Sequence, residues 1–148
     1  IGEGEAWAEK ELITLSKKLP NLSVFIGYDE ALSHLLQAGS DFFLMPSKYE
    51  PCGLSQMYAM HYGTIPIVRR TGGLADTVEN YNERTGDGTG FMLEHLSPSS
   101  IYDTVGWACY AWYNKKGHIK KMRLRGMDKN FAIATSAAQY VELYENVI

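Results

Sequence analysis

Between residues 22 and 113, short apolar runs alternate with helix-length segments. No other feature constrains the fold as much. The runs are Leu22–Ile26, Phe42–Met45, Ile65–Val68 and Gly90–Leu93. Runs this short, rich in Val, Ile and Phe and bounded by turn residues, read as strands buried in a sheet. Between the first two, Asp29 can cap a helix running to about Gln37, with Gly39 as its stop. Gly53–Tyr62 reads as a second helix with Gly63 just past its end, and Leu74–Tyr81 as a short third. Such alternation predicts an α/β fold: a Rossmann-like parallel sheet with helices on both faces. Ahead of it, Ala8, Leu12, Ile13 and Leu15 recur at a helical period within 5–18, broken by Leu19-Pro20-Asn21. Residues 82–90 read as a loop. Ser97-Pro98 opens a helix to about Tyr113, with Gly117 as its stop. Two further helices, near 118–128 and 134–147, make the C-terminal end purely helical.

Composition narrows the class. A length of 148 residues fits one domain, against a usual size of about 150. Hydrophobic residues make up 45%, enough for a packed core. Fourteen Lys and Arg against 17 Asp and Glu leave a net charge of −3, which argues against a nucleic-acid partner held by a basic face. No apolar run approaches the roughly 20 residues of a membrane span, so no membrane partner is expected. Two cysteines, Cys52 and Cys109, are too few for a disulfide framework and fit a reducing, cytoplasmic setting. His34, His61, His95 and His118 show no ligand spacing with them, so no metal site is expected. The chain opens Ile-Gly-Glu-Gly, with neither an initiator Met nor a signal peptide, and reads as the continuation of something larger.

In a sheet of this kind, ligands bind at the carboxyl ends of the strands. Three loops fall there. Gly27-Tyr28-Asp29-Glu30 offers a flat ring directly after a strand. Pro46–Leu54 is polar, carries Glu50 and runs into a helix N-terminus. Arg69-Arg70-Thr71-Gly72-Gly73-Leu74 combines two glycines, which let backbone approach a ligand, with a second helix start. Together they suit a phosphate-bearing ligand with a ring system, a description that many doubly wound domains meet.

The residues themselves are more specific. Asp41-Phe-Phe-Leu-Met-Pro-Ser-Lys-Tyr-Glu-Pro-Cys-Gly-Leu-Ser-Gln56 and Arg69-Arg-Thr-Gly-Gly-Leu-Ala-Asp-Thr-Val78 resemble the bacterial glycogen synthase and plant starch synthase family. The resemblance runs from about Ile1 to Tyr144. It implies the C-terminal domain of a GT-B glycosyltransferase. On that reading residues 1–148 are a single, partial nucleotide-sugar-binding domain. Its first strand and helix and the whole N-terminal domain would be absent. The family transfers glucose from ADP-glucose to the non-reducing end of an α-1,4-glucan with retention, using no metal and no further cofactor. Glu50 matches the family's donor-site carboxylate. The second carboxylate of that motif in other retaining GT-B enzymes falls at position 58, which is Tyr58 here, as some family members also lack it. Cys52, Gly53 and Leu54 match a turn whose N–H groups hold sugar or phosphates, with Ser55 and Gln56 one step further in. Thr71, Gly72 and Gly73 match the second donor loop, and Tyr28 the aromatic that stacks on adenine. Ser47 and Tyr58 complete the expected substrate-binding set. One departure lies at Asn130-Phe131-Ala132-Ile133, where the family carries Ser-Trp after the Phe.

Each residue also has a plainer reading. Tyr28 can cover a sheet edge, Glu50 can be a solvated loop carboxylate, Lys48 a solvated cation, Cys52 a small buried residue, and Gly72-Gly73 an ordinary turn. Asp76 reads as a local cap, and His34 and His61 as packing or surface residues. Trp107, Tyr110, Trp112 and Tyr113 read as core packing, with an exposed glucan-binding face as the alternative. Two hypotheses follow. The first is the donor half of a retaining glucosyltransferase, inactive as an isolated piece. Its partners would be a nucleotide sugar and, through the absent domain, an α-1,4-glucan. The second is a non-catalytic module that binds a nucleotide sugar or a glucan.

Overall fold

A computed structural model of the chain describes residues 1–147, and of Ser136 the backbone alone. It contains α1 (Ala6–Ser16), α2 (Glu30–Gly39), β1 (Phe42–Met45), α3 (Ser55–His61), β2 (Ile65–Arg69), α4 (Gly72–Thr77), β3 (Phe91–Leu93), α5 (Pro98–Asn114), α6 (Lys116–Asp128) and α7 (Ile133–Glu145). None of these helices is long and apolar enough to cross a membrane. The chain forms two compact units, residues 1–37 and 38–148.

In the first unit, α1 ends at the Lys17–Pro20 turn and buries none of its side chains. Asp29 caps α2 as expected: its Oδ1 accepts from Leu32 N at 2.9 Å. The run Leu22–Ile26 is not a strand. Among the described residues only its last one pairs, and with Gly2, through isolated bridges to Ile26 and Gly27. A ladder needs consecutive partners on a neighbouring segment, and a single residue supplies none of the rest.

The second unit is built on a parallel three-stranded sheet in the order β1-β2-β3. Phe42 sits opposite Ile65, Ile67 opposite Phe91, and Val68 opposite Met92. Successive residues of a strand face opposite sides, and both sides are covered. On one, Ile65, Ile67 and Phe91 pack with Ala108 and Ala111 of α5 and Ile119 and Met122 of α6. On the other, Val68 and Met92 pack with Met60 of α3, Leu74 of α4 and Val78. The central strand β2 is therefore buried up to its last residue, Arg69. The Phe91 ring lies 5.1 Å from both Tyr81 and Trp107 and 6.2 Å from Phe42. Burying one large apolar side chain contributes about 1.5–3 kcal/mol, and an exposed ion pair about 1 kcal/mol at most. This aromatic cluster, not the three surface ion pairs, holds α5 on the sheet.

Helix α3 starts at Ser55 rather than Gly53, and ends as its sequence predicts. Gly63 takes φ +80°, its N–H reaches Met60 O at 2.9 Å, and Thr64 N reaches Ala59 O at 2.8 Å. That pair of bonds is a Schellman cap, which turns the chain straight into β2. Two expectations fail locally. The helix expected over Leu74–Tyr81 is instead Gly72–Thr77, because Val78 is already extended. The next residues are drawn beside 89–90: Tyr81 N donates to Gly90 O and Thr89 N to Glu79 O, at 2.8 and 2.9 Å. Gly117 stops no helix. The break between α5 and α6 falls at Lys115 (φ −127°, ψ 46°), and Gly117 lies in the first turn of α6.

Candidate functional site

Because the sheet is parallel, the loops that leave β1 and β2 emerge at the same edge, and they are locked together. Gly73 N donates to Glu50 O at 3.1 Å and lies 3.3 Å from Pro51 O. The approach is so close that a Cβ on Gly72 would stand 2.1 Å from Glu50 O, and one on Gly73 1.9 Å from Cys52 O. Gly72 also takes φ +43°. The two glycines thus let one loop's backbone lie on the other's, where the sequence suggested they let backbone approach a ligand.

Two buried side chains complete the lock. Gln56 is fully buried, and its Nε2 donates to Gly53 O at 2.8 Å and lies 3.1 Å from Thr77 Oγ1 and 3.3 Å from Cys52 O. Thr77 Oγ1 in turn donates to Gly73 O at 2.6 Å. From below, Arg69 at the end of β2 donates through Nη1 to Lys48 O at 2.6 Å, and Ser47 O lies 3.4 Å from the same nitrogen. Arg70 turns away and pairs with Glu94 at 2.7 Å, both side chains about half exposed. Of the two arginines, Arg69 is the one built into the loop.

On this frame the Glu50 carboxylate is left with one weak contact, Ser47 Oγ at 3.5 Å from Oε2. The N–H groups of Cys52, Gly53, Leu54, Ser55 and Gln56 have no backbone acceptor among the described residues. Gln56 is fully buried, but residues 52–55 reach the surface, and four consecutive donors next to a carboxylate in the chain can bind an oxygen-rich ligand: the amides take anionic or hydroxyl oxygens, and the carboxylate takes hydroxyl protons. Cys52 is an exposed free thiol, not the buried small residue of its plainer reading. Leu54 and Tyr49 are exposed at 55% and 75%. Thr71, partly buried, precedes the first residue of α4. Tyr58, on the turn of α3 behind the loop, is 42% exposed. Tyr28 belongs to the first unit, where it is exposed.

A cleft of about 470 Å³ adjoins the loops, walled by Pro51, Cys52, Gly73 and Asp76 on one side and by Phe131 and Thr135 on the other. The sequence marked Phe131 as part of a departure from the family, not as a wall of the site. Phe131 packs with the α3–α4 side of the core and stands edge-on to His61 at 5.7 Å, which gives His61 its packing role. Asp76 makes no local cap; the N-cap of α4 is Thr71, without a side-chain bond. The sequence also undervalued Gln56. Its signal was there: Gln56, Ala59 and Met60 share the buried stripe of α3, and a polar side chain on such a stripe needs partners. Of the four aromatics that the sequence singled out on α5, Trp107 and Trp112 pack on the core, whereas Tyr110 and Tyr113 are exposed, as is Tyr102 on the same helix.

Residues 1–108 match the family model of group 1 glycosyl transferases. A glycogen synthase of Treponema denticola is 67% identical over 148 residues, all of this chain and 30% of that protein. Glycogen synthase 1 of Geobacter metallireducens is 46% identical over 145 residues, covering 97% and 29%. The chain thus spans about 30% of the length of these curated relatives. The catalytic domain of Starch Synthase IV from Arabidopsis thaliana, solved with ADP and acarbose, superposes with a TM-score of 0.83 at 32% identity, over 98% of this chain and 31% of that one. The parallel sheet with helices on both faces is the GT-B glycosyltransferase architecture, and with the matched family model it shows that the chain belongs to the group 1 glycosyl transferases.

Proposed function

We propose that the chain is the donor-binding part of a glycogen or starch synthase, acting on ADP-glucose and an α-1,4-glucan with retention of configuration. The observation that carries this reading is the placement of the Glu50 carboxylate, held by one weak contact, next to the surface N–H groups of residues 52–55, which have no backbone acceptor among the described residues, on a frame fixed by Gly72, Gly73 and Gln56. The glycogen synthase relatives and the ADP- and acarbose-bound starch synthase support the choice of donor and acceptor.

The mechanism follows from charge. The departing nucleoside diphosphate gains negative charge as the glycosidic bond stretches, and fixed N–H groups stabilise that state more than the ground state. The sugar becomes oxocarbenium-like. A retaining hydrolase sets two carboxyl groups about 5–5.5 Å apart. In this site the position that would carry a second carboxylate is Tyr58, so Glu50 orients the glucose by accepting from its hydroxyls and does not attack it. The acceptor comes from the face the diphosphate leaves. Thr71 and Ser47 flank the donor. The acceptor surface lies on another part of the whole protein, so the isolated chain binds donor without turnover. The free thiols of Cys52 and Cys109 suit the cytoplasm.

The test is an amide-NMR titration of this chain with ADP-glucose, ADP and UDP-glucose. Shifts centred on Glu50–Gln56 and Thr71–Gly73, larger for the ADP ligands, are expected. Shifts elsewhere, or preference for UDP-glucose, refute the assignment. In a full-length relative carrying the same loop, Glu50→Gln is expected to lower kcat more than about 100-fold with little change in donor affinity. An unchanged kcat removes Glu50 from the reaction.

A further inference from the structure

Half of the chain's 14 Lys and Arg lie between residues 115 and 129, where Asp128 is the single acidic residue. They break several local rules of helix stability. Helix α6 begins with cations at Lys115 and Lys116, has no acidic residue in its first turn and no side-chain cap, although the dipole there favours negative charge. Lys116 and Lys120 are one turn apart, as are Lys121 and Arg125, and like charges at that spacing repel. Arg125 is used internally, donating to the carbonyls of Gly86 and Gly88. Lys129 pairs with Glu79. Lys115, Lys116, Lys120 and Lys121 have no acidic partner among the described residues.

Lys116, Lys120 and Arg123 follow at i, i+4 and i+7 and share one stripe of α6. They line a cavity of about 350 Å³ with Trp112 and Ile119. Arg123 is held in place from two sides. Its guanidinium lies 4.8 Å from the centre of the Trp112 ring, and Nη2 pairs with Asp41 at 2.9 Å. Its Nε is buried without an acceptor. A concavity with an indole and an Ile side chain on its wall and unneutralised cations on its rim complements a small molecule with an anionic group on an apolar or ring-shaped skeleton. A flat basic face would suit a polyanion instead, and the chain's net charge of −3 opposes one.

We infer that this cavity is a binding site for a small organic phosphate, its phosphoryl group on Lys116, Lys120 and Arg123 and its skeleton against Trp112 and Ile119. None of these residues lies in the 46–54 or 69–74 loops, so the inference stands apart from the donor-site reading. The test titrates this chain with phenyl phosphate, inorganic phosphate, phenol and a short single-stranded DNA, at a fixed ionic strength of about 0.15 M. The Trp112 indole N–H and the amides of 115–123 report binding. Phenyl phosphate is expected to saturate these signals at a concentration about tenfold lower than inorganic phosphate, with phenol inert. K116Q/K120Q, two exposed positions, is expected to weaken binding at least about tenfold while the rest of the spectrum stays unchanged. K17Q/K18Q is expected to behave as the parent. K116Q alone serves should the double variant misfold. The inference is overturned if phenyl phosphate binds no better than inorganic phosphate, if phenol shifts the same signals, if only the DNA does, or if the K116Q variants bind as the parent.

Discussion

Tyr81 shows how one side chain can serve both core and surface. Its ring packs on Phe91 and Trp107, and its hydroxyl lies 2.8 Å from His118 Nδ1. Burial first, then the charges of Glu83 and Tyr110, raise its pKa above the ordinary 10.0. A raised folded-state pKa means that the native chain holds the proton more tightly than the unfolded one. The stabilisation is therefore whole below about pH 10 and is lost as pH climbs through the folded value. Stability measured by urea unfolding should stay level toward pH 10 and then fall. Tyr81→Phe should cost about 1 kcal/mol at neutral pH and flatten the alkaline fall. Gln56 is a second such residue. Gln56→Leu keeps the volume but removes the donor shared by Gly53 O, Cys52 O and Thr77 Oγ1. About 2 kcal/mol should be lost, a drop of roughly 4–8 °C in Tm by calorimetry. Glu50–Gln56 amide signals should broaden or shift with it. An unchanged Tm would mean that the lock rests on the glycines alone.

At the scale of elements, what could be read in advance tracks how local the determining physics is. Helix α2, strands β1 and β2 and the cap at Gly63 depend on neighbours a few residues away, and each lies where its residues place it. Leu22–Ile26 has strand composition, but a strand also needs a partner, and composition does not supply one. Helix α4 stops at Thr77 because Asn80 pairs beside Gly90 and its Oδ1 accepts from Met92 N at 2.8 Å. That competition comes from residues 90–92 and is invisible in the window that made 74–81 look helical. The candidate site divides the same way. The loops and Glu50 stand out in the order of residues. The roles of Arg69 and Thr77 do not, since their partners lie 21 residues away or sit in a fold-dependent contact. Gly117 misled because glycine after an apolar helix usually ends it, whereas here the break comes two residues earlier.

Taken whole, the molecule leaves its last helix bare. Helix α7 exposes Ile133, Tyr140, Val141, Leu143 and Tyr144, each by more than half, and none of its described side chains is buried. An apolar surface of that extent promotes association. Sedimentation velocity should show concentration-dependent self-association, and Val141→Glu with Tyr144→Glu should reduce it. A sedimentation coefficient independent of concentration in the parent chain would refute this. The glycines carry a different lesson. Gly106 and Gly117 sit in α5 and α6 with open space where a Cβ would go, so Gly106→Ala should raise stability by about 0.5–1 kcal/mol. At Gly72 and Gly73 the added carbon would meet a carbonyl oxygen, and every other amino acid brings that carbon. In sequence space these two adjacent positions have no neutral neighbours at all. A saturation library should come back with two empty columns at 72 and 73 and crowded ones at 106 and 117, a drift-proof anchor set against two helical glycines that are free to wander.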